Sequence, residues 1–167
     1  MRKLLFLDVD GVLNSDAFYS TKNQAKRMKE IQEKHPYMDR TRVYQVSCFD
    51  PIAVANLNKI IKETGCELIV SSSWRFTTGL RELFKYVGIE AEISGITGIC
   101  ASRYRGDEIQ EFLDQQTEPY VYCILDDDGD MLEWQLKNFI QTDWRVGLVE
   151  SDVDKAIEIL NNKYYDN

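Results

Sequence analysis

The chain has 167 residues, 44% of them hydrophobic, and carries 28 acidic against 20 basic side chains for a net charge of −8. That length suits a domain able to bury roughly two thirds of the surface its unfolded form exposes, with no need of disulfides or a structural metal. The acidity argues against tight, non-specific binding of long nucleic acid, which requires a broad basic surface, so no stable duplex binding is expected.

The chain starts with Arg2 and Lys3 and an apolar run that stops at Asp8. The run is too short for a signal peptide or a membrane span, and no membrane partner is expected. Residues 3–9, KLLFLDV, read as a buried strand because the run is short, continuous and apolar. This strand ends on two aspartates, Asp8 and Asp10, followed by Gly11. Paired carboxylates at the end of a buried strand cost several kcal/mol unless a positive partner sits between them.

Residues 15–50 form a polar, charged insertion in which residues 16–35 can be helical up to His35-Pro36. Between residues 20 and 42, Lys22, Lys26, Arg27, Lys29, Lys34, Arg40 and Arg42 outnumber Glu30, Glu33 and Asp39, a balance of +4. Residues 107–167 hold sixteen acids and four bases, a balance of −12. Either block can be a solvated face; the sharper reading is that the basic one meets a phosphorylated partner.

Residues 50–65, DPIAVANLNKIIKETG, read as a helix with Asp50 as N-cap, Pro51 in the first position and Gly65 at the end. CELIVSSS is a second buried strand, and TTGLRELFKYVG a helix capped near Thr77 or Thr78 and ended by Gly88. AEISGITGI is a weaker strand or loop, GDEIQEFLDQQ a helix, YVYCILDD a strand and FIQTD a short final strand. SDVDKAIEILNN is a last helix whose Ser151 and Asp154 match a capping box. No repeat, low-complexity tract or linker divides the chain, so a single domain over residues 1–167 is expected, with a small insertion at about 15–50. Strands that are unbroken apolar runs and alternate with helices predict an α/β fold, a three-layer Rossmann-like parallel sheet with helices on both faces. Cys48, Cys66, Cys100 and Cys123 show no paired spacing, which argues against a zinc cluster or a disulfide frame and for a reducing, cytoplasmic setting.

In parallel sheets of this kind ligands bind beyond the carboxyl ends of the strands. The first strand brings Asp8 and Asp10 there; the second brings Ser71, Ser72 and Ser73, then Trp74 and Arg75; the later one brings Asp126, Asp127 and Asp128. Arg103 and Arg105 precede the helix that starts near Asp107. Carboxylates from two strands offer hard oxygen donors suited to Mg²⁺, the positive partner the first pair demands. One aspartate of that pair is then a competent nucleophile toward a phosphoryl group, and the other a general acid and base. A serine hydroxyl and a cationic side chain hold the phosphoryl oxygens. Trp74 and Arg75 are candidate contacts at the site entrance, Trp74 for a base or sugar and Arg75 for a phosphate, with simple packing the equal alternative for Trp74. His35 has no part in this chemistry, and Tyr19, Tyr37 and Tyr44 read as anchors of their loop or as stacking platforms.

DVDGVLN, the serines ending LIVSSS, a basic residue before a helix and ILDDD resemble the four ordered motifs of the haloacid dehalogenase-like phosphohydrolases. VSSSWR, RGDEIQEFL, ILDDDGDM and TDWRVGLVESDVDKAI make the chain more similar still to the phosphatase-like domain of Swiss Army Knife RNA repair proteins, from about Lys3 to Leu160. The resemblance implies Asp8 as nucleophile and metal ligand, and Asp10 as acid/base and a ligand through its backbone carbonyl. It implies Ser71 as the phosphate binder, with Ser72 or Ser73 as alternatives, and Arg105 as the third-motif cation, with Arg103 as alternative. Asp127 is implied as a direct metal ligand and Asp126 as a ligand directly or through water, while Asp130 is a further acid that can assist. The insertion at 15–50 would be a cap that selects substrate, with Arg40 and Arg42 as substrate contacts.

The expected activity is a Mg²⁺-dependent phosphomonoesterase acting through an aspartyl-phosphate, with a nucleotide or a nucleic-acid 3′-phosphate end as substrate. A small-metabolite phosphatase or 5′-nucleotidase is the enzymatic alternative. A non-catalytic phosphoacceptor or binding module is the alternative of another class, disfavoured because acids spaced DxD and a serine-ended middle strand do not match a receiver domain.

Overall fold

A computed structural model describes residues 1–20 and 24–161. Lys22 of the basic segment and Asn162 at the end of the last expected helix lie outside the described residues. Five strands form one sheet: β1 (Arg2–Leu7), β2 (Glu67–Val70), β3 (Ile93–Ile96), β4 (Tyr120–Asp126) and β5 (Phe139–Gln141). Their order is β3-β2-β1-β4-β5, and every pairing is parallel. The chain winds outward from β1 through β2 to β3, then returns to the other side through β4 to β5, so the topological switch lies between β1 and β4.

β1 is buried on both faces. Leu5 and Leu7 enter the larger core, shared with Leu57, Leu83 and Val153, while Leu4 and Phe6 enter a smaller one with Ile109, Leu113 and Ile124. Helices α4 (Pro51–Thr64), α5 (Leu80–Val87) and α7 (Glu150–Asn161) therefore cover one face, and α6 (Arg105–Asp114) covers the other. Phe6 meets Phe112 of α6 edge-on at 5.5 Å between ring centres. This is the expected three-layer α/β architecture, and the weak AEISGITGI segment supplies its edge strand β3.

α4 is built as its sequence reads: the Asp50 side chain accepts from the Ile52 N–H at 2.8 Å, and Gly65, at φ 65°, ends the helix. Two helix starts differ from expectation. α5 begins at Leu80 behind Gly79, because residues Ser73–Phe76 form a 3-10 turn that ends at Thr77 and leaves neither threonine in the capping position. α7 begins at Glu150, which puts Ser151 inside the first turn; Asp152 instead reaches back to the Val149 N–H at 3.5 Å.

Between β1 and α4 lie α1 (Asp16–Ser20), α2 (Gln24–Lys34) and α3 (Arg40–Ser47). α1 and α2 bury no residue, whereas α3 buries Val43 and Ser47. α3 is a helix not anticipated from its polar composition; Asp39 caps it by accepting from the Arg42 N–H at 3.0 Å. The four cysteines are buried free thiols, and among the described residues no helix is long and apolar enough to cross a membrane.

The fully buried Leu57 and the exposed Ile52 lie on opposite faces of α4. Leu57→Ala is expected to lower unfolding free energy by about 2–5 kcal/mol, and Ile52→Ala by less than about 0.5 kcal/mol, in urea titrations.

Candidate active site

Strand register builds the site. Leu7 pairs with Val70 on one side and Leu125 on the other, so the next residues along each strand, Asp8, Ser71 and Asp126, stand in a row across the carboxyl edge. The row is fixed by backbone bonds from Asp8 N–H to Leu125 O at 2.9 Å and from Ser71 N–H to Leu7 O at 3.0 Å. Asp8, Ser71 and Asp126 are all buried.

Arg105, the first residue of α6, joins two members of this row. Its Nη2 donates to Asp8 Oδ1 at 3.3 Å and its Nε to Asp126 Oδ2 at 3.1 Å. Nη1 lies 3.5 Å from Glu108 Oε2 one turn on. The helix start is held by Asp130, whose Oδ2 accepts from the Arg105 N–H at 2.8 Å and whose carbonyl accepts from the Gly106 N–H at 3.2 Å. Gln135 adds a bond to the Gly106 carbonyl at 2.9 Å. Arg105 and not Arg103 contacts the carboxylates.

The acid cluster sorts into separate duties. Oxygens of Asp8, Asp126 and Asp127 can all lie within 4.8 Å of one another, a set that could hold a metal ion. Asp127 packs against Gly11, where a Cβ would collide with its carboxyl group; Gly11 also sits at φ 70°, so both space and backbone require glycine there. Asp128 accepts from the Gly129 N–H, and Asp130 is occupied at α6.

Asp10, exposed beyond the strand, is clamped from two sides. Asn14 Nδ2 donates to its Oδ1 at 2.8 Å while Asn14 Oδ1 accepts from the Gly11 N–H at 2.9 Å. Trp74 Nε1 donates to its Oδ2 at 3.0 Å, and the indole rests edge-on against Phe49 at 5.3 Å. Ser72 Oγ accepts from the Trp74 N–H at 3.3 Å, and the hydroxyl lies close enough to Asp8 to favour its charged form. The buried Ser71 hydroxyl has no hydrogen-bond partner among the described residues.

The candidate substrate contacts fall in different places. The Trp74 indole N–H faces Asp10. Arg75 is turned inward: Nη2 pairs with both Glu108 oxygens at 2.9 and 3.0 Å, and Nη1 donates to the Ser71 carbonyl at 2.8 Å. Arg42 donates to the Thr78 carbonyl at 2.7 Å, and Arg40 is exposed at the start of α3. Two further residues of the site, Asn14 and Glu108, have no role assigned by the sequence patterns described above. Asn14 sits in a turn four residues past Asp10, where asparagine commonly binds backbone; Glu108 has a local partner in Arg105 one turn before it, but its closest partner, Arg75, lies 33 residues away.

Burial pushes the Asp8 carboxyl up to about 6, with Arg105 and Ser72 pulling it back. Burial, then the neighbouring Asp8 charge, pushes Asp126 up to about 7. Asp127 is raised as well, first by burial and then by Asp128 and Asp10. Carboxylates that resist ionisation beside an arginine mark a site with room for more positive charge.

A five-stranded parallel sheet whose carboxyl edge gathers acids from β1 and β4, a serine after β2 and a cation at α6 defines a haloacid dehalogenase-like domain. Over residues 4–153 the chain matches the family described as the HAD domain in Swiss Army Knife RNA repair proteins. It belongs to that family, and so to the haloacid dehalogenase-like hydrolases. No curated protein matches the chain. Among solved structures, a haloacid dehalogenase-like family hydrolase from Streptococcus pneumoniae aligns with a TM-score of 0.46 and 14% identity, covering 93% of this chain and 90% of that one.

The raised carboxyl groups fix a pH dependence. Between about pH 4 and 7 the folded chain holds protons that the unfolded chain has released, so without a divalent cation this contribution to stability falls as pH rises. Melting curves in chelator are expected to show that loss, and Asp126→Asn, which removes one of the groups, to reduce it. A divalent cation should raise the melting temperature by at least about 3 °C more at pH 8 than at pH 5, where it must displace protons.

Proposed function

We propose that the protein is a Mg²⁺-dependent phosphomonoesterase that works through an aspartyl-phosphate on Asp8 and acts on nucleotide or nucleic-acid 3′-phosphate ends. The observation that carries this reading is the row of Asp8, Ser71 and Asp126 on adjacent strand ends, with Arg105 bridging its two acids.

The donor set fits a hard divalent cation: three carboxylates converge, two are deeply buried, and one guanidinium offsets only part of their charge. Asp8, Asp126 and Asp127 would hold it, with the Asp10 backbone carbonyl as the family resemblance implies. When bound, Mg²⁺ neutralises phosphoryl charge and keeps the carboxylates ionised. Asp8 then attacks phosphorus as the bond to the leaving alcohol breaks, and Asp10 gives that oxygen its proton. In the second half Asp10 takes a proton from water, which attacks the same phosphorus, frees inorganic phosphate and restores Asp8. Arg105 offsets the charge of Asp8 and of the transferring group, and the unpartnered Ser71 hydroxyl is suited to donate to a phosphoryl oxygen. Trp74 and Asn14 keep Asp10 aimed, and Arg75 holds the serine segment through the Ser71 carbonyl.

We assign α1–α3 as the small cap. In support, Tyr19 of α1 and Cys48 lie close enough to Asp10 for its charge to act on both, and burial raises the pKa of both. The buried free thiols support a reducing, cytoplasmic setting.

Asp8→Asn is expected to lower kcat/KM on p-nitrophenyl phosphate by about a thousandfold or more in Mg²⁺. Retained turnover, or wild-type turnover unaffected by chelator, would contradict the reading. Asp10→Asn should depress kcat/KM by about 10²–10⁴-fold on alkyl phosphates and much less on p-nitrophenyl phosphate, whose leaving group needs little acid assistance. A panel of 3′- and 5′-phosphorylated DNA and RNA ends, mononucleotides and sugar phosphates identifies the substrate class; equal rates on all would remove the nucleic-acid part of the reading.

A further inference from the structure

Next to the carboxylates, Arg105 shares a cleft of about 220 Å³ with Ser73, Phe76 and Arg103. The chemistry assigned above uses neither Phe76 nor Arg103. Arg103 has φ 62°, the one non-glycine residue in the left-handed region among the described residues. A side chain there costs free energy that glycine would not, and such strain persists where the side chain serves a purpose. The turn that imposes it is well made: the Arg103 N–H donates to the Cys100 carbonyl at 3.2 Å, and Ser102 Oγ accepts from the Tyr104 N–H at 3.3 Å.

Three guanidinium groups, of Arg75, Arg103 and Arg105, and three carboxylates, of Glu108, Asp128 and Asp130, line the cleft. Arg75 is paired with Glu108, and Arg105 with Asp8, Asp126 and Glu108. Asp128 and Asp130 each accept a backbone N–H group, and the other Asp130 oxygen is buried without a partner among the described residues. The Arg103 side chain is exposed and has no partner among the described residues. On the same cleft Phe76 ends the 3-10 turn after the serines; its ring is 65% exposed and lies 4.9 Å from the Arg75 guanidinium carbon. A half-open aromatic face beside an unpaired guanidinium presents the two elements that recognise a ring and an anion.

We propose that this cleft binds the non-reacting part of the substrate, with a planar ring stacked on Phe76 and a second phosphate paired with Arg103. The substrate is then a phosphomonoester that also carries a nucleobase and a further phosphate. This rests on the phosphatase reading above, in which Asp8, Ser71 and Arg105 take the reacting phosphate and leave Arg103 for another one. A free nucleoside 3′,5′-bisphosphate and the 3′-phosphorylated end of an oligonucleotide share this chemistry.

Arg103→Gly is the informative variant, because glycine accepts φ 62° and the fold is kept: its melting temperature should be unchanged or higher. In the Asp8→Asn background with Mg²⁺, calorimetry should show nucleoside 3′,5′-bisphosphate binding about tenfold more tightly than nucleoside 3′-monophosphate, a preference that Arg103→Gly erases. Phe76→Ala should reduce about tenfold the preference for the bisphosphate over its abasic analogue. A preference for the second phosphate that survives Arg103→Gly, or equal weakening of both ligands, would overturn the subsite while leaving the phosphatase reading intact. If the wild type turns over no ester, yet the binding preference exists and depends on Arg103, the phosphatase reading fails and the subsite stands. An oligonucleotide 3′-phosphate bound tenfold more tightly than the bisphosphate identifies a polymer end as the ligand, and equal affinity identifies the free nucleotide; either result sustains the subsite.

Discussion

Two carboxylates buried side by side on adjacent strands are the constraint around which the rest of this site is arranged. Parallel register forces Asp8 opposite Asp126, and the repulsion and lost hydration have to be offset locally. Arg105 does part of this, and its position depends on the start of α6. Asp130 fixes that start, Gln135 fastens the Gly106 carbonyl, and a Cβ at Gly106 would crowd the Leu132 backbone. The acids of β4 are thus compatible with those of β1 only because the segment after β4 folds back to aim a cation between them.

Glu108 extends the same network to the third strand. It accepts from both Arg75 and Arg105, and Arg75 in turn holds the Ser71 carbonyl. The serine at the end of β2 and the cation at the start of α6 are therefore coupled through one buried carboxylate. In double-mutant cycles such groups behave as a unit, since removing either partner leaves a charge buried alone.

The parts of the structure readable in sequence are those governed by short-range rules. Apolar runs marked the strands, and Asp50, Pro51 and Gly65 marked α4, because periodicity and capping act over a few residues. Asp8, Ser71 and Asp126 could be named for a similar reason: each directly follows a strand, and parallel sheets gather such residues at one edge. The partners were not legible. Trp74 reaches Asp10 across 64 positions and Arg75 reaches Glu108 across 33, and no local pattern encodes those contacts. The run DDDGD likewise offered four similar acids, whose separate duties follow from tertiary contacts with Arg105, Gly11 and the start of α6. α3 leaves little trace in the sequence because its mixed polar composition lacks a strong apolar period; Val43 and Ser47 provide its buried side.

The basic segment changes meaning when its side chains are followed individually. Lys26 and Lys29 pair with Glu30 and Glu33 one turn away, Arg27 lies over the Phe18 ring and donates to the Ser47 carbonyl, and Arg42 binds the Thr78 carbonyl. Exposed pairs of this kind are weak, and because Glu30 and Glu33 are already counted in the local balance of +4, the segment keeps its net positive charge. Screening confines the reach of any such exposed charge to a Debye length of about 8 Å at physiological ionic strength. Arg105 is already shared between two acids, and the exposed Arg103 lies beside it on the same cleft. Its left-handed backbone presents that charge from a tight turn closed by the bond from its N–H to the Cys100 carbonyl.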